Sequence, residues 1–161
     1  MIYQKQHEFN KLYMSIALDL EYEWFDYAGN GNLEGMKKIY ETMKERGIEE
    51  AIKGWRRHGN STILTWATSR GRSNILEWVI KELEIDVNEQ NSSGWTALHV
   101  AAYYNQLECA RVLLRHDPQL LKSRQGNTPL DDAKIQGHKE IEHLIKSHFG
   151  LRKISSVSMH Q

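Results

Sequence analysis

Residues able to do chemistry are spread along this chain in spacings that fit few reactions. His138 and His143 bracket Lys-Glu-Ile-Glu and stand five positions apart. Two histidines that share a zinc ion on one helix face stand four apart, with a glutamate beside the first. Asp131-Asp132 and Glu49-Glu50 are adjacent pairs. Successive helical positions point in different directions, which is poor geometry for a general acid and base acting together. Gly29-Asn30-Gly31 has no following lysine and no preceding strand pattern, so it does not read as a phosphate loop. Cys109, the single cysteine, falls on an apolar helical stripe and reads as a buried thiol rather than a nucleophile. No catalytic, cofactor-binding or metal-ligating residue is assigned, and a non-enzymatic role is expected.

The elements that would position these residues follow from composition and period. The chain has 161 residues, room for one domain or a short array of stacked units. Its 21 basic and 21 acidic side chains cancel, the sequence pI is about 7.1 and the mean hydropathy is −0.64. That balance gives no global reason to expect nucleic acid or an anionic membrane as partner. It is a sum over unequal ends: residues 1–53 carry seven basic and ten acidic side chains, residues 91–161 nine and six. No apolar run approaches the roughly 18 residues of a membrane-spanning helix. The lone cysteine and an N-terminus without a continuous apolar region point to an intracellular compartment, cytoplasmic or nuclear. Two glycosylation-type triplets, Asn60-Ser61-Thr62 and Asn91-Ser92-Ser93, point the other way. Only Pro118 and Pro129 interrupt the helical apolar spacing, which places the chain in the all-α class.

The helices repeat. Asn60-Ser61-Thr62-Ile63-Leu64-Thr65-Trp66-Ala67 lies in register with Gly94-Trp95-Thr96-Ala97-Leu98-His99-Val100-Ala101 and with Gly126-Asn127-Thr128-Pro129-Leu130-Asp131-Asp132-Ala133. Gly71, Asn105 and Gly137 follow in the same register, at offsets of 34 and 32 residues. These residue types tolerate the left-handed backbone that a tight helix–helix turn needs. Ile75, Trp78 and Val79, then Cys109, Val112 and Leu113, then Ile141, Leu144 and Ile145 give each second helix an apolar stripe at i, i+3, i+4. Leu64, Leu98 and Leu130 stand one turn before Ala67, Ala101 and Ala133, a pattern of inter-repeat core.

Gly94 to Ala102 resembles the ankyrin-repeat signature, and Gly126-Asn127-Thr128-Pro129-Leu130 carries its Thr-Pro-Leu core. The likeness is specific over 88–145 and more degenerate over 58–87, where Thr65, Ile63 and Asn60 replace the usual histidine, proline and glycine. Trp24 to Glu34 resembles the first helix pair of such an array, with about six extra residues in the connection that follows. The resemblance implies an all-α ankyrin-repeat solenoid of stacked helix-turn-helix pairs with short hairpin fingers, in four repeats at 20–53, 54–87, 88–121 and 122–149. Phe9, Leu12, Tyr13, Ile16 and Leu20 recur at helical spacing, so residues 1–19 are expected to cap the stack, with partner docking the other reading. Residues 150–161 lack a clear period and are expected to be a flexible tail.

The resemblance further implies a binding surface built from the finger loops and the exposed side of each first helix, and it assigns His99 a hydrogen bond to the threonine turn. Carried onto this chain, the binding positions are Arg57, His58, Ser61, Ser69 and Arg70 in the second repeat and Ser92, Ser93, Trp95, Tyr103 and Tyr104 in the third. In the fourth they are Arg124, Gln125, Asn127, Ile135 and Gln136. Trp95, Tyr103 and Tyr104 place three large aromatics on one expected surface, the residue types that dominate binding hot spots. Arg56, Arg57, Arg70 and Arg124 make it locally basic, so the expected partner is a protein or peptide that is acidic or phosphorylated. A methyl-lysine cage is the alternative use of the aromatics, with Glu89 as its acid. A subunit of a larger scaffold that oligomerises through the N-terminal helix is a further alternative to a monomeric adaptor, inhibitor or assembly chaperone.

Overall fold

The computed structural model describes the backbone of residues 18–158 and the side chains of residues 18–150. Most of the capping stretch expected at 1–19, including Phe9, Leu12, Tyr13 and Ile16, lies outside the described residues. Nine α-helices follow one another among those described, with a 3-10 turn at His58–Asn60 and no β-sheet: α1 (18–30), α2 (Leu33–Glu45), α3 (Ala51–Gly54), α4 (Ile63–Ser69), α5 (Ser73–Leu83), α6 (Ala97–Tyr104), α7 (Leu107–Arg115), α8 (Pro129–Gln136) and α9 (Lys139–Ser158). They stack as two rows. The inner row packs α4 against α6 and α6 against α8, while the outer row packs α5 against α7 and α7 against α9. Helices α1 and α2 extend the rows, with Phe25 meeting Trp66 of α4 and Tyr40 meeting Trp78 of α5.

Each inner helix from α4 onward starts at a threonine because its hydroxyl accepts an otherwise orphaned backbone N–H. Thr62 accepts from Thr65, Thr96 from His99 and Thr128 from Asp131. His99 and Asp131 reach back to the cap amide and complete a reciprocal pair of bonds. The Thr128 hydroxyl and amide both donate to the Asp131 carboxylate, at 2.7 Å and 2.9 Å, and hold it below its usual range. Asp132, one position on, faces inward, is buried and accepts from the Asn127 side chain at 3.2 Å, and burial raises its carboxyl.

The turns closing α4, α6 and α8 use Gly71, Asn105 and Gly137 at φ of +68°, +58° and +74°. The next residue then reaches back one repeat. Arg72 Nε donates to the Gly29 carbonyl at 2.9 Å, Gln106 Nε2 to the Ser69 carbonyl at 3.5 Å, and His138 Nδ1 to the Ala102 carbonyl at 2.9 Å. Carbonyls at the ends of inner helices, which lack intrahelical partners, are thereby satisfied by the following unit. Register is thus passed along the stack by polar bonds as well as by packing.

The six residues added to the first connection are not a simple loop. The connection includes the four-residue α3, which carries Ile52 into the core, and Trp55 just beyond it meets Trp24 edge-on at 6.2 Å. Trp24 also packs on Trp78, so three tryptophans from α1, the connection and α5 fill the first inter-repeat space. Farther along, Leu64, Ile75, Leu76, Leu98, Leu113, Ile141 and Ile145 are fully buried, as the period requires, and Cys109 lies among them with its thiol pushed up to about 11 by burial.

α9 runs on to Ser158, into the stretch expected to be a tail. A single helical glycine such as Gly150 costs only about 1 kcal/mol, and Leu151, Arg152 and Lys153 after it are good helix formers.

The fingers also stack. Residues 57 and 61, 91 and 95, and 123 and 127 are closed by backbone bonds across five-residue turns, and Arg124 N–H donates to the Ser93 carbonyl of the preceding finger at 3.0 Å. Gly94 lies at φ +74°, and a Cβ there would stand 2.9 Å from the Arg124 nitrogen. Its counterpart Gly126, at φ +87°, has open space around it. Gly126→Ala is expected to cost about 1–2 kcal/mol from the left-handed backbone alone. Gly94→Ala is expected to cost measurably more, because the finger contact must open as well; urea denaturation of the two variants side by side checks this.

Candidate protein-binding surface

The exposed side of the inner row carries two clusters. In the third repeat the Trp95 ring stacks on His99 at a centroid distance of 6.3 Å and meets Tyr103 at 5.1 Å, and Tyr103 meets Tyr104 edge-on at 5.0 Å. Both tyrosines are exposed, while Trp95 is half-buried. The three aromatics expected to share a surface therefore form one chain of rings, with Trp95 as its packed base and Tyr104 as its outer end.

The base is held by His99, which is fully buried. Its Nδ1 accepts from the Thr96 amide at 3.1 Å, which leaves Nε2–H to donate to the Asn127 carbonyl in the fourth finger at 3.1 Å. The resemblance implied the bond to the threonine turn; the link onward to the next repeat adds to it. Burial lowers the imidazole below its usual 6.5, although the Asn127 carbonyl and the Asp132 charge oppose that shift. The folded state therefore binds a proton less readily than the unfolded chain. Stability carried by neutral His99 is present above about pH 6.5 and is lost as the pH falls below it. Melting temperature is accordingly expected to drop between pH 7 and pH 5, and His99→Gln is expected to flatten that slope relative to the parent chain. Asp132, raised by burial, contributes with opposite sign at more acidic pH.

The second cluster centres on Trp66 of α4. Its indole N–H donates to the Phe25 carbonyl at 2.8 Å, and its ring meets Phe25 edge-on at 6.4 Å. The Arg70 guanidinium lies 4.8 Å from the Trp66 ring centroid, and that of Arg57 lies 5.3 Å from it and 4.6 Å from the Tyr22 ring. Sequence reasoning found both arginines but missed Trp66 and Tyr22. Tyr22 and Leu18 stand four residues apart on α1, a helical pair that could have marked them.

The other expected positions are spread around these clusters. His58, Ser92, Ser93, Arg124, Gln125 and Gln136 are exposed on the fingers or at the end of α8, with Ile135 beside Gln136. Ser61, Ser69 and Asn127 are half-buried, and their polar groups serve the fold: Ser61 Oγ donates to the His58 carbonyl, Ser69 Oγ to the Trp66 carbonyl and Asn127 to Asp132. Ser92 Oγ donates to the Gly59 carbonyl, so this side chain ties two fingers together. Arg56 does not add to the basic surface. Its guanidinium donates to the carbonyls of Lys53 and Trp55 and pairs with Glu89. That pair also engages the acid that a methyl-lysine cage would use.

All the large apolar side chains left exposed among the described residues belong to the inner row: Leu18 and Tyr22 on α1, Tyr103 and Tyr104 on α6, and Ile135 on α8. On the outer row the exposed positions are mainly charged, such as Lys38 and Glu41 on α2, Lys81 and Glu82 on α5, and Glu108 and Arg111 on α7. No three His, Cys, Asp or Glu residues among those described are grouped to hold a metal ion, and no described helix is long and apolar enough to cross a membrane.

A stack of helix pairs with a common period, threonine-capped inner helices and bonded fingers defines a helical repeat protein. The family model for ankyrin repeats, in three copies, matches residues 25–122 and 64–153, and the chain belongs to the ankyrin-repeat family. It is 40% identical over 67 residues to the Inhibitor of Bruton tyrosine kinase of Xenopus laevis, covering 40% of this chain and 5% of that protein. It is 48% identical over 64 residues to SH3 and multiple ankyrin repeat domains protein 2 of Homo sapiens, covering 39% of this chain and 4% of that protein. Identity to the Putative ankyrin repeat protein YahD of Escherichia coli (strain K12) is 34% over 88 residues, 51% of this chain and 44% of the bacterial one. The chain thus matches under half the length of each of these relatives, through the repeats they share. Ankyrin repeats are protein–protein interaction modules.

Proposed function

We propose that this chain is a non-enzymatic binding module, acting within the cell as a monomeric adaptor, inhibitor or assembly chaperone, and that it holds its partner on the inner-row face between the fingers and Tyr104. The partner is a protein or peptide with an acidic or phosphorylated contact surface. One observation carries the reading: exposed large apolar side chains gather on the inner row, where water would otherwise disfavour them, while the outer row is charged. Aromatics at the centre and arginines at the flank are the composition of a binding hot spot.

A photoreactive phenylalanine analogue placed at Tyr104 is expected to cross-link the partner, whereas the same group at Glu82 on α5 is expected to remain uncoupled. Cross-linking from the α5 position alone would transfer the interface to the outer row and end this proposal.

A further inference from the structure

The arginines differ in whether a carboxylate meets them. Arg56 pairs with Glu89, Arg111 with Glu108 and Glu140, and Arg115 with Glu77. Arg57 and Arg70 meet no acid among the described residues and rest instead on aromatic rings, Arg57 on Tyr22 and Trp66 and Arg70 on Trp66. A guanidinium stacked on a ring keeps its N–H donors at its rim, where a carboxylate accepts them in pairs. Stacking also removes much of the rotamer freedom that binding would otherwise have to freeze. Trp66 cannot drift, because its own N–H is fixed to the Phe25 carbonyl.

A groove of about 410 Å³ opens beside Arg57, between α1 and the second-repeat finger, with Leu18, Tyr22 and Phe25 as its apolar lining. Glu21 also lines it, but one of its carboxylate oxygens accepts from the Arg56 amide at 3.1 Å. Cationic donors and an apolar recess thus adjoin through one side chain, Arg57.

We infer that the Arg57–Trp66–Arg70 cluster and the adjoining groove form a two-part anchor for an extended acidic segment of the partner, with aspartate or glutamate on the two guanidiniums and a bulky aliphatic side chain in the groove. Both guanidiniums lie within 5.3 Å of the same ring centroid, so the acids they hold are near neighbours in the partner chain. An extended peptide supplies such neighbours at alternate residues, about 7 Å apart on one face. Arg57 is held by Tyr22 as well as by Trp66 and Arg70 by Trp66 alone, so each guanidinium offers a separate set of donors, which suits two single negative charges better than one phosphate dianion. This inference rests on the inner-row face being the binding surface and specifies what chemistry that surface selects.

The test is a synthetic array of 12-residue peptides probed with the full chain. Peptides with leucine beside alternate glutamates are compared with counterparts bearing glutamine, lysine or phosphoserine at the acidic positions. Glutamate peptides are expected to be retained, with glutamine counterparts at least tenfold weaker. The Arg57→Gln/Arg70→Gln variant is expected to erase that difference, and Arg57→Lys/Arg70→Lys to restore part of it. Should the double variant melt without cooperativity, Arg70→Gln alone replaces it, since that side chain is exposed. Equal retention of glutamine peptides, retention of phosphoserine peptides alone, or no retention of any glutamate peptide overturns the inference. Binding lost in Tyr103→Ala/Tyr104→Ala but untouched by the arginine variants overturns it while leaving the surface assignment standing. Binding indifferent to both sets overturns both.

Discussion

Truncating Leu98 to alanine is expected to lower the free energy of unfolding by about 2–5 kcal/mol, read as a fall in the urea midpoint at unchanged slope. Leu98 is only 1% exposed and sits on α6, which packs against α4 on one side and α8 on the other. Lost methyl contacts are therefore lost at both neighbouring interfaces, and neither neighbour can close the void without leaving its other partner. Leu130, the same position in the fourth repeat, is only partly buried. Leu130→Ala should accordingly cost less than Leu98→Ala. A cost below about 1 kcal/mol at Leu98 would contradict the stacked packing of the inner row.

Replacing Trp95, Tyr103 and Tyr104 together by alanine is expected to weaken partner binding at least a hundredfold, or about 2.7 kcal/mol. The rings touch in sequence, at 5.1 Å and 5.0 Å between centroids, so each limits the motion of the next and presents a pre-ordered apolar area with phenolic handles. Tyr104 separates binding from folding. It is exposed and terminal in the ring chain, so Tyr104→Ala alone is expected to reduce affinity with little change in melting temperature. Trp95 is half-buried on His99, and its removal is expected to lower both. Isothermal titration and thermal melting of the single and triple variants separate the two effects.

The register of Thr62, Thr96 and Thr128 made the inner helices legible, because a cap needs a particular side chain at a particular place. Gly71, Asn105 and Gly137 were legible for the same reason, since few residue types accept a left-handed turn. Trp95, Tyr103 and Tyr104 followed once the register placed them on an exposed face. Trp66 escaped because its equivalents, Val100 and Asp132, are both buried, so its place in the repeat marks it as core rather than surface. Its exposure depends on what α1 leaves uncovered, which a local pattern does not encode. The neighbours Arg56 and Arg57 read alike in sequence and differ in structure: one turns to Glu89 in the next finger, the other to Tyr22 on α1. Both contacts span more than thirty residues, and only the packing of successive repeats decides between them. Helix α3 was likewise invisible as a helix, being four residues held by Ile52 rather than by any period of its own.

The central claim is that the inner row, and not the outer, is the binding face. Affinity capture with three forms of the full chain tests it most directly: the parent, the Trp95/Tyr103/Tyr104 triple alanine variant, and an outer-row variant carrying Lys81→Ala, Glu82→Ala and Arg111→Ala. The account predicts one set of partners retained by the parent and the outer-row variant and lost by the triple variant, with all three forms showing the same circular-dichroism spectrum. Partners retained by the triple variant but lost from the outer-row one would contradict it.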